Sequence, residues 1–174
     1  LIDLGETETG QIYMVMERLV GMTLQQALRE MLARGEVFTW DQLAPLMAQI
    51  CSALHAAHKQ KIVHRDMKPS NCFCCDVDEA DWHIKILDFG IAKAQINGGV
   101  SVDSIETPLT QKGMFLGTQH YAAPEVIRQL PDHTIDGRAD IFALGVMMYQ
   151  CMTGSLPFQH VHDDPVAVMY HTAH

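Results

Sequence analysis

The sequence has few basic residues. Among its 174 residues, 12 lysines and arginines stand against 21 aspartates and glutamates, and the formal net charge is −9. Proteins that bind nucleic acids or anionic membrane surfaces present clustered lysine and arginine side chains, so this composition argues against both kinds of partner. Any chemistry on phosphate groups must therefore depend on a few cations at defined positions.

Long apolar runs and disulfide patterns are also missing. The longest apolar run, residues 141–149, is far shorter than the roughly 18 residues that a membrane-spanning helix needs. The five cysteines are odd in number, and Cys72, Cys74 and Cys75 crowd one short segment. This arrangement favours reduced, packed thiols in a cytoplasmic protein over a disulfide framework. No signal peptide opens the sequence, and because it begins at Leu1 we expect a piece of a longer chain.

Hydrophobic periodicity predicts a mixed fold. Runs of apolar and β-branched residues predict strands, and apolar residues three and four positions apart predict helices. The predicted strands are residues 11–19, 72–75 and 84–87, and the predicted helices are residues 23–35, 39–60 and 137–152. We expect Pro45, in the opening turns of the second helix, to bend that helix or to delay its regular hydrogen bonding. The order lacks a repeating strand-helix-strand rhythm, which indicates an α+β, mostly helical fold.

The segment "HRDMKPSN", residues 64–71, contains an unusual combination of polar residues. It places Asp66 two positions before Lys68 and five positions before Asn71. An aspartate alone would be weak evidence of function, because aspartate also caps turns through its own backbone hydrogen bonds. Whether this segment indicates a function therefore depends on the other motifs in the sequence.

Two further motifs follow this segment. Asp-Phe-Gly occupies residues 88–90, and Ala-Pro-Glu occupies residues 123–125. In this order the three motifs resemble the eukaryotic-type serine/threonine protein kinases of bacteria, and the resemblance covers nearly the whole chain. It implies a protein-kinase-like fold in one partial domain. Residues 1–19 would end the N-lobe and form the hinge, and residues 20–174 would form a C-lobe truncated at its C-terminal end.

The resemblance implies a role for each polar residue of the motifs. Asp66 would orient the substrate hydroxyl and accept its proton, and Lys68 would place its ammonium on the transferring phosphate. Asn71 and Asp88 would hold Mg²⁺, or Mn²⁺ in its place, against the phosphates of ATP. Thr118 matches the threonine that precedes the substrate-binding turn in serine/threonine kinases.

The resemblance also implies where the adenine of ATP binds. Met16 matches the residue that gates the back of the adenine pocket, and Glu17 and Leu19 match positions whose backbone groups bond the adenine edge. Phe73 matches the floor of the pocket, although a plain core phenylalanine would give the same pattern. The strand prediction alone accounts for apolar residues in this region, and Met14 and Met16 are expected to fill the core.

Control by phosphorylation follows from the same resemblance. Arg65 puts a guanidinium beside Asp66, where an anion such as a phosphorylated activation loop would complete its bonding. Lys93 matches a position that often joins that phosphate pocket. Thr107 or Thr110 is the expected phosphorylation site, whose charge would order the segment. The alternative is a solvated polar loop in which these hydroxyls have no role.

Parts of a complete kinase domain are missing from the sequence. No glycine-rich loop precedes the hinge, and the first lysine is Lys59, so no residue of the chain can act as the strand lysine that binds nucleotide phosphates. Glu125 would pair with an arginine of a later helix, beyond His174. We therefore expect the isolated chain to be inactive and to expose apolar surface.

Two classes of function remain open at this stage. In the first, the protein is a serine/threonine kinase that transfers the γ-phosphate of ATP to protein hydroxyls, with a dimer as the form that phosphorylates itself in trans. In the second, it is a pseudokinase, a scaffold or a binding module. Intact Asp66, Asn71 and Asp88 favour the first, because a scaffold needs neither a base nor metal ligands. A small-molecule phosphotransferase is a weaker third class. If the protein is anchored to a membrane, the kinase domain would lie on the cytosolic side.

Overall fold

The computed structural model describes residues 2–7, 9–75, 82–89, 119–128 and 135–157. Within these ranges, two antiparallel sheets accompany four α-helices. The strands are β1 (Asp3–Glu6), β2 (Ile12–Val15), β3 (Gly21–Thr23), β4 (Cys72–Cys75) and β5 (His83–Ile86). The helices are α1 (Leu24–Ala33), α2 (Trp40–Lys59), α3 (Pro124–Ile127) and α4 (Arg138–Thr153), and short 3₁₀ turns occupy Pro69–Asn71 and Gln119–Tyr121. This order confirms the predicted α+β, mostly helical class.

The two sheets divide the strands between them. β1 and β2 form a hairpin, and β4 is the central strand of the second sheet, between β3 and β5. In that sheet Phe73 lies opposite Thr23 on one side and opposite Lys85 on the other. The strand predicted over residues 11–19 is shorter in the structure, because residues 16–20 leave the hairpin and connect it to β3.

The two long N-terminal helices begin with the same hydrogen-bonding device. Thr23 Oγ1 accepts a hydrogen bond from the amide of Gln26, whose side-chain Oε1 accepts one from the Thr23 amide at 2.8 Å. Thr39 and Gln42 repeat this arrangement at the start of α2, with the return bond at 2.9 Å. Each box satisfies two amides that have no partner within the helix, which is worth about 1 kcal/mol per cap. The predicted helix starts are therefore confirmed.

Glycines lie just after the ends of α1 and α4, and a proline lies inside α2. The backbone is left-handed at Gly35, where φ is +77°, and at Gly154, where φ is +76°. Gly154 is needed for space as well, because a Cβ there would lie 2.7 Å from Cδ2 of Leu32 in α1. Pro45 lies inside α2 without ending it. Whether it bends the helix stays a prediction.

The core lies where α2, α4 and β4 pack together. Its fully or almost fully buried side chains include Leu43, Ile50, Leu54, Met147 and Cys72. Burying a side chain of this size stabilises the fold by about 1.5–3 kcal/mol relative to leaving it exposed. The core therefore fixes the two long helices against the sheet whose ends carry the motifs.

Buried thiols form part of this core. Cys72, Cys74 and Cys151 are free cysteines, and burial raises the pKa of each to about 12. A thiol with such a pKa stays protonated and unreactive at neutral pH. This agrees with the prediction of reduced, packed thiols.

The hairpin formed by β1 and β2 differs from the prediction. Met14 and Met16 were expected to fill the core, and they are 42% and 58% exposed. The reason is that the hairpin forms a two-stranded sheet of its own, and among the described residues no second layer covers it. By contrast, Met147 of α4 is buried and Met148 packs against the core. None of the helices within the described ranges combines the length and apolar character that crossing a membrane requires.

Candidate active site

The motif segment 64–71 connects the end of α2 to the start of β4. Its last residues form the 3₁₀ turn, in which the Asn71 amide donates to the carbonyl oxygen of Lys68 at 2.9 Å. The carbonyl oxygen of Asn71 then accepts a hydrogen bond of 2.8 Å from the Leu87 amide, directly before Asp88. The backbone thus places the two motifs side by side, although they are separated by β4 and β5.

The two carboxylate oxygens of Asp66 have different surroundings. Oδ2 accepts hydrogen bonds from Lys68 Nζ at 2.7 Å and from Asn71 Nδ2 at 3.1 Å. Oδ1 is buried and has no hydrogen-bond partner in the part of the chain that the structure describes. A buried acceptor without a partner costs free energy unless something else bonds to it. One oxygen therefore holds the carboxylate in place, and the other is available to accept a proton or a hydrogen bond.

The contacts around Asp66 fix its orientation more than they stabilise the fold. The side chain of Lys68 is 21% exposed and that of Asp66 is 40% exposed, so solvent screens their ion pair to about 1 kcal/mol or less. Asn71 is buried, and its Nδ2 also donates to the Asp66 carbonyl oxygen at 2.8 Å. Because both of these bonds use Nδ2, the side-chain Oδ1 of Asn71 is the end that could serve as a ligand for a cation.

His64 is the buried link between the two motifs. Its Nδ1 accepts a hydrogen bond from the Asp66 amide at 3.3 Å, and its Nε2 donates to the Leu87 carbonyl oxygen at 2.8 Å. Only the neutral ring that carries its proton on Nε2 makes both bonds. The ring also packs against the ring of Phe89, with centroids 4.9 Å apart and planes inclined by 58°. His64 thereby positions residues on both sides of Asp88.

Asp88 lies just after β5 at this junction, and it is exposed. Its φ of +52° lies in the left-handed region, which a non-glycine residue adopts only when its surroundings hold it there. A carboxylate and an amide oxygen, from Asp88 and Asn71, are the hard oxygen ligands that Mg²⁺ prefers. The donor set at the junction therefore fits a divalent cation.

The sequence reasoning missed Asp140, although this residue anchors the motif segment. Asp140 lies in the first turn of α4 and is 1% exposed. Its Oδ2 accepts a hydrogen bond from the His64 amide at 2.9 Å, and its Oδ1 accepts one from the Arg65 amide at 2.8 Å. Arg65 has a φ of +66°, so the carboxylate holds a backbone conformation that costs about 1–3 kcal/mol on its own.

A signal for Asp140 was present in the sequence. The residue falls on the same helical face as Ala143, Leu144 and Met147, which are all buried. An ionisable residue on the buried face of an apolar helix must be paired, because an isolated buried charge is very costly. The spacing could therefore have identified Asp140 as functional or structural, though not its partners.

The predicted hinge residues lie in the connection between β2 and β3. Both carboxylate oxygens of Glu17 are 2.6 Å from Nζ of Lys85 in β5, and this hydrogen bond and charge lower the pKa of Glu17. Leu19 is half-buried, and Met16 is mostly exposed. Phe73 is half-buried in β4, next to Lys85 in the sheet. The contact with Lys85 thus joins Glu17 to the strand that pairs with Phe73.

The remaining predicted residues divide into two groups. Arg65 is half-buried between His64 and Asp66, and Glu125 is half-buried in α3, directly after Pro124 at the helix start. Four predicted residues lie outside the described ranges, namely Lys93, Thr107, Thr110 and Thr118.

Tyr121 connects the segment before α3 to α4. Its hydroxyl donates to Oε1 of Gln150 at 2.6 Å, and burial raises the pKa of the phenol to about 12. The buried hydroxyl therefore stays protonated and remains a donor. This bond holds the start of the Ala-Pro-Glu motif against the same helix that carries Asp140.

Comparisons with known proteins support one interpretation of this geometry. A family model described as "Protein kinase domain" matches residues 2–173. The chain is similar to the serine/threonine-protein kinase Pkn1 of Myxococcus xanthus, with 41% identity over 146 residues, which cover 84% of the chain and 19% of that protein. It is also similar to the serine/threonine-protein kinase PknB of Mycolicibacterium smegmatis, with 37% identity over 97% of the chain and 24% of that protein. A probable PknB of Corynebacterium glutamicum is 35% identical over 95% of the chain and 25% of its own length. The chain spans a quarter or less of the length of these relatives.

Proposed function

This chain belongs to the protein kinase family, and we propose that the protein that carries it transfers the γ-phosphate of ATP to serine and threonine hydroxyls of proteins. The names of the similar bacterial proteins support this choice of acceptor. The observation that carries the proposal is the Asp66 carboxylate. Lys68 and Asn71 hold its Oδ2, while its Oδ1 is buried without a partner among the described residues.

Asp66 is the proposed catalytic base. A substrate hydroxyl would donate its hydrogen bond to Oδ1, which orients the hydroxyl oxygen for attack in line with the leaving group. As the new oxygen–phosphorus bond forms and the bond to ADP breaks, the hydroxyl proton passes to the carboxylate. The bonds at Oδ2 keep the carboxylate from rotating, so the acceptor oxygen is already in position before the substrate binds.

Lys68 supplies the positive charge of the segment. Its Nζ lies 2.7 Å from Oδ2, where it balances the charge of Asp66. We infer that the same ammonium also interacts with the transferring phosphate, because few cations are available in so acidic a chain. Thr118 is proposed to serve substrate binding, because it matches the threonine that precedes the substrate-binding turn in the family pattern.

Protein kinases use ATP together with a divalent metal ion, and Asn71 and Asp88 are the proposed ligands of that ion here. When bound, Mg²⁺ or Mn²⁺ neutralises charge on the phosphate oxygens. The residues themselves do two things. Asn71 keeps its Oδ1 available because Nδ2 is bonded to Asp66, and the Leu87–Asn71 backbone bond keeps Asp88 next to Asn71.

The nucleotide is proposed to bind along the hinge connection. Backbone groups of Glu17 and Leu19 would bond the adenine, with Met16 behind it and Phe73 below it. In this assignment residues 1–19 belong to the end of the N-lobe and the hinge. The Glu17–Lys85 ion pair supports it, because it ties the hinge to the sheet that carries Phe73.

Regulation and cellular context are further parts of the proposal. Arg65 and Lys93 would bind a phosphate on the activation segment, at Thr107 or Thr110. Residues 20–174 would then act as the C-lobe of a cytosolic kinase domain, with phosphorylation in trans within a dimer. Protein substrates and ATP are the proposed partners.

The test is phosphate transfer by the full-length protein with labelled ATP and Mg²⁺. We expect Asp66→Asn to lower kcat by about 10²–10⁴-fold, the usual contribution of a positioned acid or base, with ATP binding retained. Asp41→Asn is the matched control, because it makes the same change at an exposed position in the first turn of α2. This control should keep kcat within about twofold.

Three results would contradict the proposal. A wild-type protein that is folded and binds ATP but transfers no phosphate would favour the pseudokinase or scaffold. Equal transfer by the wild type and Asp66→Asn would remove Asp66 from the reaction. Label on a small molecule and none on protein serine or threonine would favour a small-molecule phosphotransferase.

A further inference from the structure

The side chain of Gln49 bonds to the backbone around β5 with both ends of its amide. Gln49 lies in the middle of α2 and is half-buried. Its Nε2 donates to the carbonyl oxygen of Trp82 at 2.9 Å, and its Oε1 accepts from the amide of Ile84 at 2.9 Å. Only one orientation of the side-chain amide makes both bonds, because the flipped group would set a donor against a donor. One side chain therefore joins α2 to β5 through two hydrogen bonds.

These two bonds fall on the outer edge of the second sheet. Among the strands that the structure describes, β5 has only β4 as a neighbour, because it is the last strand in the order β3-β4-β5. In an antiparallel edge strand, alternate residues direct their amide and carbonyl groups away from the neighbouring strand. Ile84 directs its amide toward Gln49, which takes the position that a further strand would occupy. Because Ile84 is buried, an amide without this acceptor would cost free energy.

Trp82, the residue before β5, has a second anchor. Its ring packs edge to face against Phe38, with centroids 6.2 Å apart and planes inclined by 64°. Phe38 is buried, and its amide donates to the carbonyl oxygen of Cys151 in α4 at 3.1 Å. Trp82 is therefore attached to the core through its ring as well as through Gln49. The outer bond of Ile84, in contrast, depends on Gln49.

β5 leads from this contact to the proposed metal ligand. Asp88 lies four residues after Ile84 and two residues after the end of β5. Between them, the Leu87 amide donates to the carbonyl oxygen of Asn71 at 2.8 Å. The strand is thus bonded to Gln49 near its beginning and to the motif segment just beyond its end. A shift of Ile84 would be carried to Leu87 and Asp88, because an extended segment of so few residues cannot absorb it.

We propose that Gln49 is a positioning residue for Asp88. Its bond to the Ile84 amide fixes the outer edge of β5, and the strand in turn holds Asp88 beside Asn71. Gln49 touches neither nucleotide nor substrate in this scheme. The role rests on the proposed kinase activity, because that activity is what requires a metal ion at Asp88. Loss of Gln49 should therefore raise the Mg²⁺ concentration that phosphate transfer requires and leave the binding of adenosine at the hinge unchanged.

The first test measures phosphate transfer by the full-length protein against Mg²⁺ concentration. Gln49→Met removes both bonds at similar volume, and Gln49→Glu keeps an acceptor for the Ile84 amide. We expect Gln49→Met to raise the Mg²⁺ concentration at half-maximal rate about fivefold and to lower kcat about tenfold, with the Kd for adenosine within about twofold. Gln49→Glu should recover part of both losses. Gln60→Met, at the exposed end of the same helix, is the control and should match the wild type.

Three outcomes of this test would overturn the proposal. The first is a wild-type dependence on Mg²⁺ in Gln49→Met. The second is an equal loss of adenosine binding in that variant, which would show general damage to the fold. The third is a Gln49→Glu variant no better than Gln49→Met, because the bond to the Ile84 amide would then not be the cause. If Gln49→Met does not fold, Gln49→Asn takes its place, since its amide is one methylene too short to reach both partners.

A second readout does not depend on activity. Hydrogen exchange measured by NMR at the Ile84 and Leu87 amides separates a local effect from a transmitted one, because the Leu87 amide bonds to Asn71 and not to Gln49. We expect both amides to exchange about tenfold faster or more in Gln49→Met, and neither to change in Gln60→Met. Faster exchange at Ile84 alone would show that Gln49 stabilises only its own contact, and the proposal would be wrong. If the wild type transfers no phosphate, this measurement still decides the positioning role, and the kinase proposal alone fails.

Discussion

The amide of Leu87 donates a hydrogen bond of 2.8 Å to the carbonyl oxygen of Asn71. This bond joins the two segments that carry the proposed metal ligands, and it uses backbone atoms only. The junction therefore does not depend on a bound ion to bring Asn71 and Asp88 together. Asn71 therefore has two separate roles. Its carbonyl oxygen binds the residue after β5, and its side chain binds Asp66.

The side chain of Asn71 should matter for stability as well as for catalysis. Asn71→Ala removes the bonds of Nδ2 to the carbonyl oxygen and to Oδ2 of Asp66. We expect a loss of about 1–3 kcal/mol in the free energy of unfolding, measured by urea denaturation, because two part-buried acceptors of Asp66 lose this donor. Phosphate transfer should fall by about 10²-fold or more at any Mg²⁺ concentration.

Asn71→Asp is the matched comparison. It keeps an oxygen ligand but loses both donors and sets a second carboxylate beside Oδ2 of Asp66. We therefore expect it to be destabilised at least as much as Asn71→Ala. An Asp variant as stable as the wild type would mean that Asn71 acts only as a ligand.

The ion pair between Glu17 and Lys85 should make stability depend on pH in the acid range. Lys85 lowers the pKa of Glu17 from its usual 4.5, so the folded state holds the charged form more strongly than the unfolded chain does. The contribution is complete above about pH 4.5 and is lost as the pH falls below it, through the lowered value.

Melting temperatures measured against pH would reveal this contribution. The difference between the wild type and Glu17→Gln should be constant near neutral pH, vanish in acid and shrink in high salt, because the pair is exposed. Glu36→Gln, at an exposed position after α1, is the control. A wild-type difference that persists well below pH 4 would show that another group is responsible.

These predictions draw on features that the sequence revealed to different degrees. The capping boxes at Thr23 and Thr39 could be predicted because the interacting residues are three positions apart. The Asp66–Lys68–Asn71 cluster was also recognisable, since one loop contains all of it. The bonds of Asp140 to the His64 and Arg65 amides were not, because they depend on how α4 packs against the motif segment. The exposure of Met14 shows a second limit of prediction from sequence. The apolar pattern of a strand is the same whether or not a second layer of structure covers that strand.

The cysteines should divide into one reactive thiol and a buried set. Cys51 is exposed on α2, whereas Cys72, Cys74 and Cys151 have a pKa of about 12 because of burial. A water-soluble thiol reagent at pH 8 should label Cys51 rapidly and the buried cysteines only after unfolding, as read by mass spectrometry of peptides. Cys51→Ser should abolish the fast phase, and Cys72→Ser should not change it. Rapid labelling of Cys72 or Cys74 in folded protein would contradict the packing of β4.

Phosphorylation of the activation segment is the remaining prediction. Mass spectrometry of the active full-length protein should find phosphate on Thr107 or Thr110, because the family resemblance pairs a phosphate of the activation segment with Arg65 and Lys93. Replacing the modified threonine with alanine should lower kcat, and replacing Ser101 should not. Active protein with neither threonine modified would remove this mode of control.

Asp140 also determines when the motif segment can reach its final geometry during synthesis. Its bonds reach back 75 and 76 residues along the chain, to Arg65 and His64. At about 5–20 residues per second, the turn before Asp66 leaves the ribosome roughly 4–15 s before the carboxylate that holds it. A nascent chain therefore carries every side chain of the "HRDMKPSN" segment before it has the anchor for their geometry, and the reactive arrangement can form only after α4 has been made and has docked.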